Sequence, residues 1–169
     1  MLSRQWIVWH GSRFAAQRET GFVRAGHPER VREIALRLGR ELKLSRSERR
    51  ALGEAALLHD IGRALLPPHL GEKSHPRVGA DLLIGQELPP GTRDAVLHHH
   101  ERWDGRGYPH GLRGSAIPRL ARVLAVANAA DHLGRLLPEM QAERLAWERG
   151  LALDPEIVNA YLRLICPEA

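Results

Sequence analysis

The chain has 169 residues, of which 43% are hydrophobic and 27% charged, a composition that supports one buried core and argues against wholesale disorder. Its net charge of +5 comes almost entirely from arginine; most of this reflects compositional bias, and the remainder would attract phosphate groups. The single cysteine excludes an internal disulfide, and the absence of a membrane-length apolar run, a recognisable signal peptide or a basic run interleaved with aromatics predicts a cytoplasmic protein that binds neither membrane nor nucleic acid.

The first 26 residues are ambiguous, because the segment Trp6 to Trp9 fits either a helix or an edge strand. From there on, apolar residues recur mostly at helical spacing, beginning with an amphipathic stripe from Val31 to Leu42. We therefore divide the chain into an N-terminal extension, 1–26, and a helical domain, 27–169.

A second helix is indicated by its start signal. Ser45 and Glu48 have the spacing of a capping box. The apolar stripe that follows continues to His59, and we expect Gly62 and the Pro67–Pro68 pair to stop this helix.

Two shorter helices and a loop are predicted next. Ser74 is placed to cap a helix over 75–84, and the Pro89–Pro90 pair precedes another that ends near Glu101. The stretch 104–109 carries two glycines and a proline, so it must be a loop with a specific path.

Three helices complete the chain. Ile117–Pro118 begins a long one whose inward stripe includes Asn128 and Asp131, while Pro138 and Asp154–Pro155 begin the last two. No convincing alternating strand appears. The sequence thus predicts an all-α fold, a single compact bundle of about six to eight helices.

Histidine is over-represented, with ten residues, and several lie on core-facing stripes. A lone histidine of this kind is more often a hydrogen-bonded structural residue. A buried histidine beside an aspartate, however, needs a compensating charge, which a divalent cation supplies. The candidates lie on four separate elements, as expected for a metal site between facing helices: they are His27, His59, Asp60, His75 and the run His98 to His100. Because neighbouring helical residues diverge by about 100°, only two of that run can face a metal, and only if the helix frays.

Several strings resemble a known family. They are HDIGR at 59–63, HPRVG at 75–79 and HHERWDGRGYPHGLRGSAIPRLAR from residue 99, with HPERV at 27–31 and LDPEIV at 153–158. The chain resembles the HD-GYP group of the HD superfamily of metal-dependent phosphohydrolases. An HD pair alone would be a weak signal, but the long string that contains Gly-Tyr-Pro is highly specific.

The resemblance implies a dinuclear metal site in which Asp60 bridges two ions, usually iron or manganese; zinc and nickel suit the same ligand types. It implies that a hydroxide held between the ions attacks phosphorus in line. The implied substrate is cyclic di-GMP, opened to pGpG and sometimes on to GMP. The implied ligands are His27, His59, Asp60, His75, His99, His100 and, at the position of the final ligand, Asn128.

The same resemblance implies residues that act on the substrate. Arg63 stands where the family usually has a lysine and can grip a phosphate with a forked guanidinium; with Asp60 it forms the candidate catalytic pair. Tyr108 and the glycine-rich loop around it would shape the pocket. The candidate substrate-binding residues are Arg63, Gly105, Gly107, Tyr108, Pro109 and Arg122.

Besides Arg63, the chain departs from the family at four places. Asn128 replaces an aspartate ligand; an amide is a weaker ligand for a hard cation and removes one negative charge. Asp131 lies one turn further on and would help only if the helix shifted. The stretch between residues 60 and 75 is short, and the family's Arg-Pro-Tyr element is missing around 135–138. Val23 stands where some members have a glutamate that holds a third metal, so we expect two ions at most.

Three functions follow as alternatives. We favour slightly an active cyclic di-GMP phosphodiesterase. The second is a module that has lost catalysis and binds cyclic di-GMP or a partner such as a cyclase domain. The third is an HD phosphohydrolase for another nucleotide. A homodimer is plausible by analogy alone.

Overall fold

The computed structural model describes residues 26–67 and 69–166. The ambiguous segment 1–25, which includes Val23, lies outside them. The described residues form eight α-helices and two short 3-10 helices, and the sole strand-like feature among them is an isolated bridge between Arg149 and Leu153. The prediction of an all-α bundle is confirmed. The α-helices are α1 His27–Glu41, α2 Arg46–Leu58, α3 Ile61–Ala64, α4 His75–Leu82, α5 Thr92–His98, α6 Arg119–His132, α7 Pro138–Glu148 and α8 Pro155–Ile165.

The capping box predicted at the start of α2 is confirmed. The backbone N–H of Glu48 donates to Ser45 Oγ at 3.2 Å, and the backbone N–H of Ser45 donates to Glu48 Oε2 at 2.8 Å. A cap of this kind stabilises a helix by about 1 kcal/mol. The sequence therefore fixes where α2 starts, which sets the register of the helix that ends at His59.

Helix α6 lies at the centre of the bundle. It packs against α1, α2, α5, α7 and α8, and Val123, Leu124 and Val126 on it are fully buried. Such all-round burial explains why its sequence is apolar over more than one face. Asn128 and Asp131 are buried polar residues on this helix, so their side chains need partners inside the fold.

Gly62 does not end α2 as predicted. The helix already ends at Leu58, and Gly62 lies inside the next helix, α3. A Cβ at this position would stand 2.6 Å from the backbone nitrogen of Gly79 and closer still to the carbonyl oxygen of His75. The glycine is required for the close approach of α3 to α4, rather than for a turn.

Ser74 does not cap α4 either. It has right-handed helical backbone angles and its side chain makes no capping hydrogen bond. The helix instead begins at His75 with Pro76 in its first turn, where the missing N–H of proline costs nothing.

The loop between α5 and α6, residues 99–118, contains Gly107, Tyr108 and Pro109 and is called the GYP loop below. The predicted loop at 104–109 is confirmed. Its path is set from within, because the buried carboxylate of Glu101 accepts hydrogen bonds from the backbone N–H groups of His110 at 2.7 Å and Leu112 at 3.0 Å.

None of the helices in the described ranges has the length and apolar character needed to cross a bilayer.

Candidate metal centre

Four buried histidines converge from the ends of four helices. His27 and His75 are the first residues of α1 and α4, and each is followed by a proline. His59 and His99 cap the C-termini of α2 and α5. The sequence predicted ligands on the faces of helices. The structure places them at helix ends, where adjacent residues need not diverge by 100°. Two adjacent pairs can therefore join the cluster, His59 with Asp60 and His99 with His100.

Three of these imidazoles are anchored in the same way. The Nδ1 atoms of His59, His75 and His99 lie 2.8, 2.6 and 2.7 Å from the carbonyl oxygens three residues earlier, those of Ala56, Glu72 and Val96. Because a carbonyl can only accept, each Nδ1 carries the proton and donates it. Each Nε2 therefore presents a lone pair, which is the arrangement found in metal-ligating histidines.

His27 has the same tautomer, with its proton on Nδ1, but a side chain accepts the hydrogen bond instead of a carbonyl group. It opens α1, and its Nδ1 lies 2.7 Å from Oδ2 of Asp131 at the end of α6. Arg30 also donates to Asp131, with Nε 2.6 Å from Oδ1. Burial alone would raise the pKa of Asp131, but the hydrogen bonds from Arg30 and His27 outweigh it and hold that pKa below its usual range. The carboxylate therefore stays charged and keeps the His27 proton on Nδ1.

The ligand atoms form two groups that share Asp60. His27, His59 and Asp60 make one group; Asp60, His75, His99 and His100 make the other. In the first, the two Nε2 atoms of His27 and His59 are 3.2 Å apart, and Asp60 Oδ2 is 3.6 Å from His59 Nε2. In the second, Asp60 Oδ1 is 3.2 Å from His75 Nε2 and 4.0 Å from His99 Nε2.

These separations suit shared cations. With metal–ligand bonds of about 2.1 Å, neighbouring ligand atoms on one ion lie roughly 3 to 3.5 Å apart. Two Nε2 lone pairs at 3.2 Å cannot satisfy each other, since neither His27 nor His59 has a proton there. A cation between them would satisfy both.

The buried polar atoms without a hydrogen-bond partner point to the same place. Such an atom costs free energy unless a ligand satisfies it. Among the described residues these include one atom each of four residues of the cluster, Asp60 Oδ1, His75 Nε2, His99 Nε2 and His100 Nε2, and also Asn128 Oδ1 on α6. The residues therefore fit two divalent ions, with one carboxylate oxygen of Asp60 directed to each group.

The protonation states of the cluster also suit metal binding. Burial lowers the pKa of His59 and of His99, and burial together with the nearby His75 lowers the pKa of His100 to about 3. Burial would raise the pKa of Asp60, but His75, His59 and Arg63 outweigh it and hold the carboxyl far below its usual range. At neutral pH these three imidazoles are thus neutral, and Asp60 is a carboxylate.

Asn128 lies inside the bundle on α6. It is 9% exposed, and its Oδ1 has no hydrogen-bond partner. An amide oxygen is an acceptable ligand for a hard cation, although it brings no charge. Its assignment as a ligand stays a prediction.

Arg63 lies against the cluster. Its Nε is 2.8 Å from Asp60 Oδ1 and its Nη1 is 2.6 Å from Glu72 Oε1. The Nε–H does not point at the carboxylate, so the contact with Asp60 is an ion pair rather than a hydrogen bond. A guanidinium here can reach a phosphate held over the cluster.

The predicted pocket wall is also near the cluster. The Tyr108 ring stacks on the His100 ring, with centroids 4.9 Å apart and planes inclined by 23°. A Cβ on Gly107 would stand 2.6 Å from the Cα of Glu101, and Gly105 has a φ of 81° that favours glycine. Pro109 follows a cis peptide bond. These residues hold the tyrosine beside a candidate ligand.

Two predicted residues have other contacts. Arg122 pairs with the buried Asp154 at 2.6 Å and donates to the Ile117 carbonyl. Its guanidinium is already committed to the contact between α6 and the start of α8, so its substrate role stays a prediction with no support from this geometry. His98 contacts His110 at 3.1 Å and belongs, with Glu101 and His110, to a separate group of potential ligands outside the two that share Asp60.

Sequence reasoning missed two residues near the cluster. Lys73 Nζ lies 5.9 Å from the centre of the Tyr108 ring, and no spacing rule singles this lysine out. His132 packs its ring against His27, with centroids 5.1 Å apart. Its position four residues after Asn128 was a usable signal, since such residues share a helix face.

The comparisons with known proteins agree with this geometry. The sequence profile of the HD domain family matches residues 13–146. The chain belongs to the HD domain family. The resemblance to the HD-GYP group is also confirmed by the relatives of this HD domain.

Curated relatives of the HD domain include three bacterial enzymes. The cyclic di-GMP phosphodiesterase response regulator RpfG of Xanthomonas campestris pv. campestris is 39% identical, over 80% of this chain and 42% of that protein. The cyclic di-GMP phosphodiesterase PA4108 of Pseudomonas aeruginosa is 32% identical, over 82% and 38%. The 3'3'-cGAMP-specific phosphodiesterase 3 of Vibrio cholerae is 35% identical, over 84% and 33%. The chain spans less than half the length of each.

Two solved structures share the fold. A cyclic GMP-AMP phosphodiesterase of Vibrio cholerae superposes with a TM-score of 0.75 at 19% identity, over 84% of this chain and 44% of that one. Bd1817, an HD-GYP-type protein of Bdellovibrio bacteriovorus, superposes with a TM-score of 0.68 at 23% identity, over 82% and 51%. At these identities the likeness establishes the HD fold alone.

Proposed function

We propose that this HD domain is a metal-dependent phosphodiesterase that hydrolyses cyclic di-GMP to pGpG. The observation that carries the proposal is the pair of ligand groups that share Asp60, with the Nε2 lone pairs of His27, His59, His75 and His99 directed inward. Two iron or manganese ions are the proposed cofactors. When bound, they would neutralise charge on the phosphoryl oxygens and activate water for in-line attack.

The residues of the chain have separate tasks in this proposal. Asp60 holds the two halves of the site together. Arg63, already beside Asp60, binds a non-bridging phosphate oxygen and keeps the phosphorus over the cluster. Tyr108, stacked on His100, closes one wall and limits how the nucleotide can enter.

The choice of substrate rests on the relatives. Their names specify cyclic di-GMP for RpfG and PA4108, and 3'3'-cGAMP for the Vibrio cholerae protein. A cyclic dinucleotide is thus the class that we propose. Cyclic di-GMP comes first because the most similar of these three relatives acts on it.

The test is a direct assay of the reconstituted protein. The purified chain is loaded anaerobically with Fe²⁺ or Mn²⁺ and mixed with cyclic di-GMP, 3'3'-cGAMP and a simple phosphomonoester, and the products are separated by chromatography. We expect pGpG from cyclic di-GMP and none from Asp60→Asn treated in the same way. Intact cyclic di-GMP after loading of both ions would refute the activity, and turnover of the phosphomonoester alone would favour a hydrolase for another substrate.

A second candidate function is a binding module without turnover. The observation that favours it is Asn128, a buried neutral amide whose Oδ1 has no hydrogen-bond partner, at the position predicted for a metal ligand. Cyclic di-GMP that binds to the metal-loaded chain and is not cleaved would support this alternative. Recovery of cleavage in Asn128→Asp would identify the residue responsible.

A further inference from the structure

His132 is the last residue of α6 and lies one helical turn after Asn128. Residues four apart share a face of a helix, so His132 projects on the side of α6 that carries the buried amide. Its ring packs against that of His27 with centroids 5.1 Å apart and planes inclined by 34°. This contact places the His132 imidazole next to His27, one member of the group formed by His27, His59 and Asp60.

The ring nitrogens of His132 are available. Among the described residues neither nitrogen makes a hydrogen bond, whereas His98, outside the two groups, is bonded at both nitrogens, to Asp94 and His110. The residue is exposed, so it lies on the solvent side of the group. That is the side on which an ion held by buried ligands still has open coordination positions.

We propose that His132 is a further ligand of the ion held by His27, His59 and Asp60, and that it compensates for the amide at position 128. This inference rests on the metal centre of the proposed function. Imidazole nitrogen is a better ligand for iron, manganese and related transition metals than an amide oxygen. The chain would thus replace a carboxylate in the middle of α6 by an imidazole one turn later. In the structure the His132 nitrogens lie outside the group of ligand atoms formed by His27, His59 and Asp60, so the proposal requires the exposed side chain to rotate toward the ion.

The proposal is tested by metal binding, independently of turnover. Mn²⁺ affinity and stoichiometry are measured by competition with a chromophoric chelator for the wild-type chain, His132→Ala and His132→Gln. The matched control is His69→Ala, another exposed histidine. We expect at least about tenfold weaker binding of one ion in both His132 variants and no change in the control. Circular dichroism in EDTA checks that all variants are folded.

Two further measurements distinguish direct metal ligation by His132 from a merely structural role. Free imidazole should restore Mn²⁺ affinity to His132→Ala, and the d–d absorption of the Co²⁺-loaded protein should change in that variant. In the Asn128→Asp background the loss caused by His132→Ala should shrink, because the carboxylate again supplies the ligand.

Unchanged affinity in both His132 variants overturns the inference, and so does a loss that imidazole does not repair and that leaves the Co²⁺ spectrum unaltered. A wild-type chain that binds two ions but hydrolyses no cyclic dinucleotide would refute the proposed activity and leave the His132 ligand standing. A wild-type chain that binds no ion would refute both.

Discussion

The Oδ2 atom of Asp131 lies 2.7 Å from Nδ1 of His27, although the two residues are 104 positions apart in the chain. This contact joins the last turn of α6 to the first residue of α1. It also sets which nitrogen of His27 carries the proton, and thereby aims Nε2 at His59. Asp131 is thus a positioning residue for the metal centre.

Replacing Asp131 by asparagine should therefore weaken metal binding without removing a ligand. The amide keeps an acceptor for His27 but loses the charge that pairs with Arg30. We expect about 10- to 100-fold weaker binding of one ion, measured by chelator competition. Glu139→Gln, an exposed carboxylate at the start of α7, is the control. Equal affinities for the two variants would contradict the positioning role.

Asp60→Asn should affect both ions at once, because Asp60 belongs to both ligand groups. His27→Ala, in contrast, should remove mainly one ion, since His27 belongs to a single group. Elemental analysis after dialysis gives the stoichiometry. The shared-ligand arrangement predicts close to zero ions for the first variant and one for the second. Two ions retained in Asp60→Asn would show that this carboxylate is not shared.

Asn128→Asp should strengthen metal binding. It places a carboxylate at a buried position whose present Oδ1 has no hydrogen-bond partner, and a carboxylate attracts a divalent ion more strongly than an amide. Titration with Mn²⁺ should show a lower Kd for one ion, by about tenfold. In EDTA the same variant should be less stable than wild type, because the added charge is buried without a cation. Greater stability in EDTA would mean that the carboxylate finds a protein partner instead.

Substitution of two glycines, Gly62 inside α3 and Gly71 after it, should have opposite effects on stability. Gly62→Ala brings a Cβ within 2.6 Å of the Gly79 backbone nitrogen. The backbones of α3 and α4 would have to move apart to relieve this clash, which costs much more free energy than moving a side chain. We expect a loss of more than about 3 kcal/mol in the free energy of unfolding, with loss of metal because His75 is displaced. Gly71→Ala meets nothing within 4 Å and has a φ of −70°, so it should be neutral or stabilising by up to about 1 kcal/mol. Urea denaturation gives the free energy of unfolding of each variant. Similar free energies for the two variants would refute the packing argument.

The metal-free protein should lose stability as the pH falls from 7 to 4. The folded-state pKa of His100 is about 3, below the unfolded value of 6.5, and burial lowers those of His59 and His99 as well. Below pH 6.5 the unfolded chain therefore binds more protons than the folded one, so the free energy of unfolding decreases with decreasing pH. A single such histidine contributes at most about 2 kcal/mol between pH 7 and 5.

Urea denaturation in EDTA at several pH values measures this slope. His100→Gln removes one titrating group and should flatten the profile, whereas His69→Ala should leave it unchanged. A profile of wild type that is flat between pH 7 and 5 would indicate that the buried imidazoles become protonated in the folded state at little cost.

Much of the fold was accessible from the sequence because its signals are local. The capping box at Ser45, the proline starts of α7 and α8 and the apolar stripes of α1 and α6 each act within one or two turns. The end of α2 was predicted at the wrong place because Gly62 usually signals a helix end. Its true role depends on the backbone of α4, some 13 residues later, and no local rule contains that contact.

The structure brings the histidines and Asp60 of the predicted ligand set together, but not on the helix faces where they were expected. Helical periodicity assigned His27 and His59 to helix faces, whereas they stand at helix ends. The anchoring of His27 by Asp131 could not be derived, because it depends on how α1 crosses the end of α6. The spacing of four residues does indicate that His132 shares a helix face with Asn128, but its contact with the His27 ring depends on the same crossing. Arg122 was assigned to the substrate from its position in a motif, and its partner Asp154 became visible only in the folded chain.

The carbonyl groups of Ala56, Glu72 and Val96 hold three imidazoles in the required tautomer. Every amino acid has such a carbonyl, so this orienting function makes no demand on the side chain at positions 56, 72 and 96. The side chains at these positions are constrained for other reasons, since Glu72 pairs with Arg63 and the side chains of Ala56 and Val96 are fully buried. The groups that orient these three ligands therefore belong to the backbone. A motif defined by side chains does not identify them.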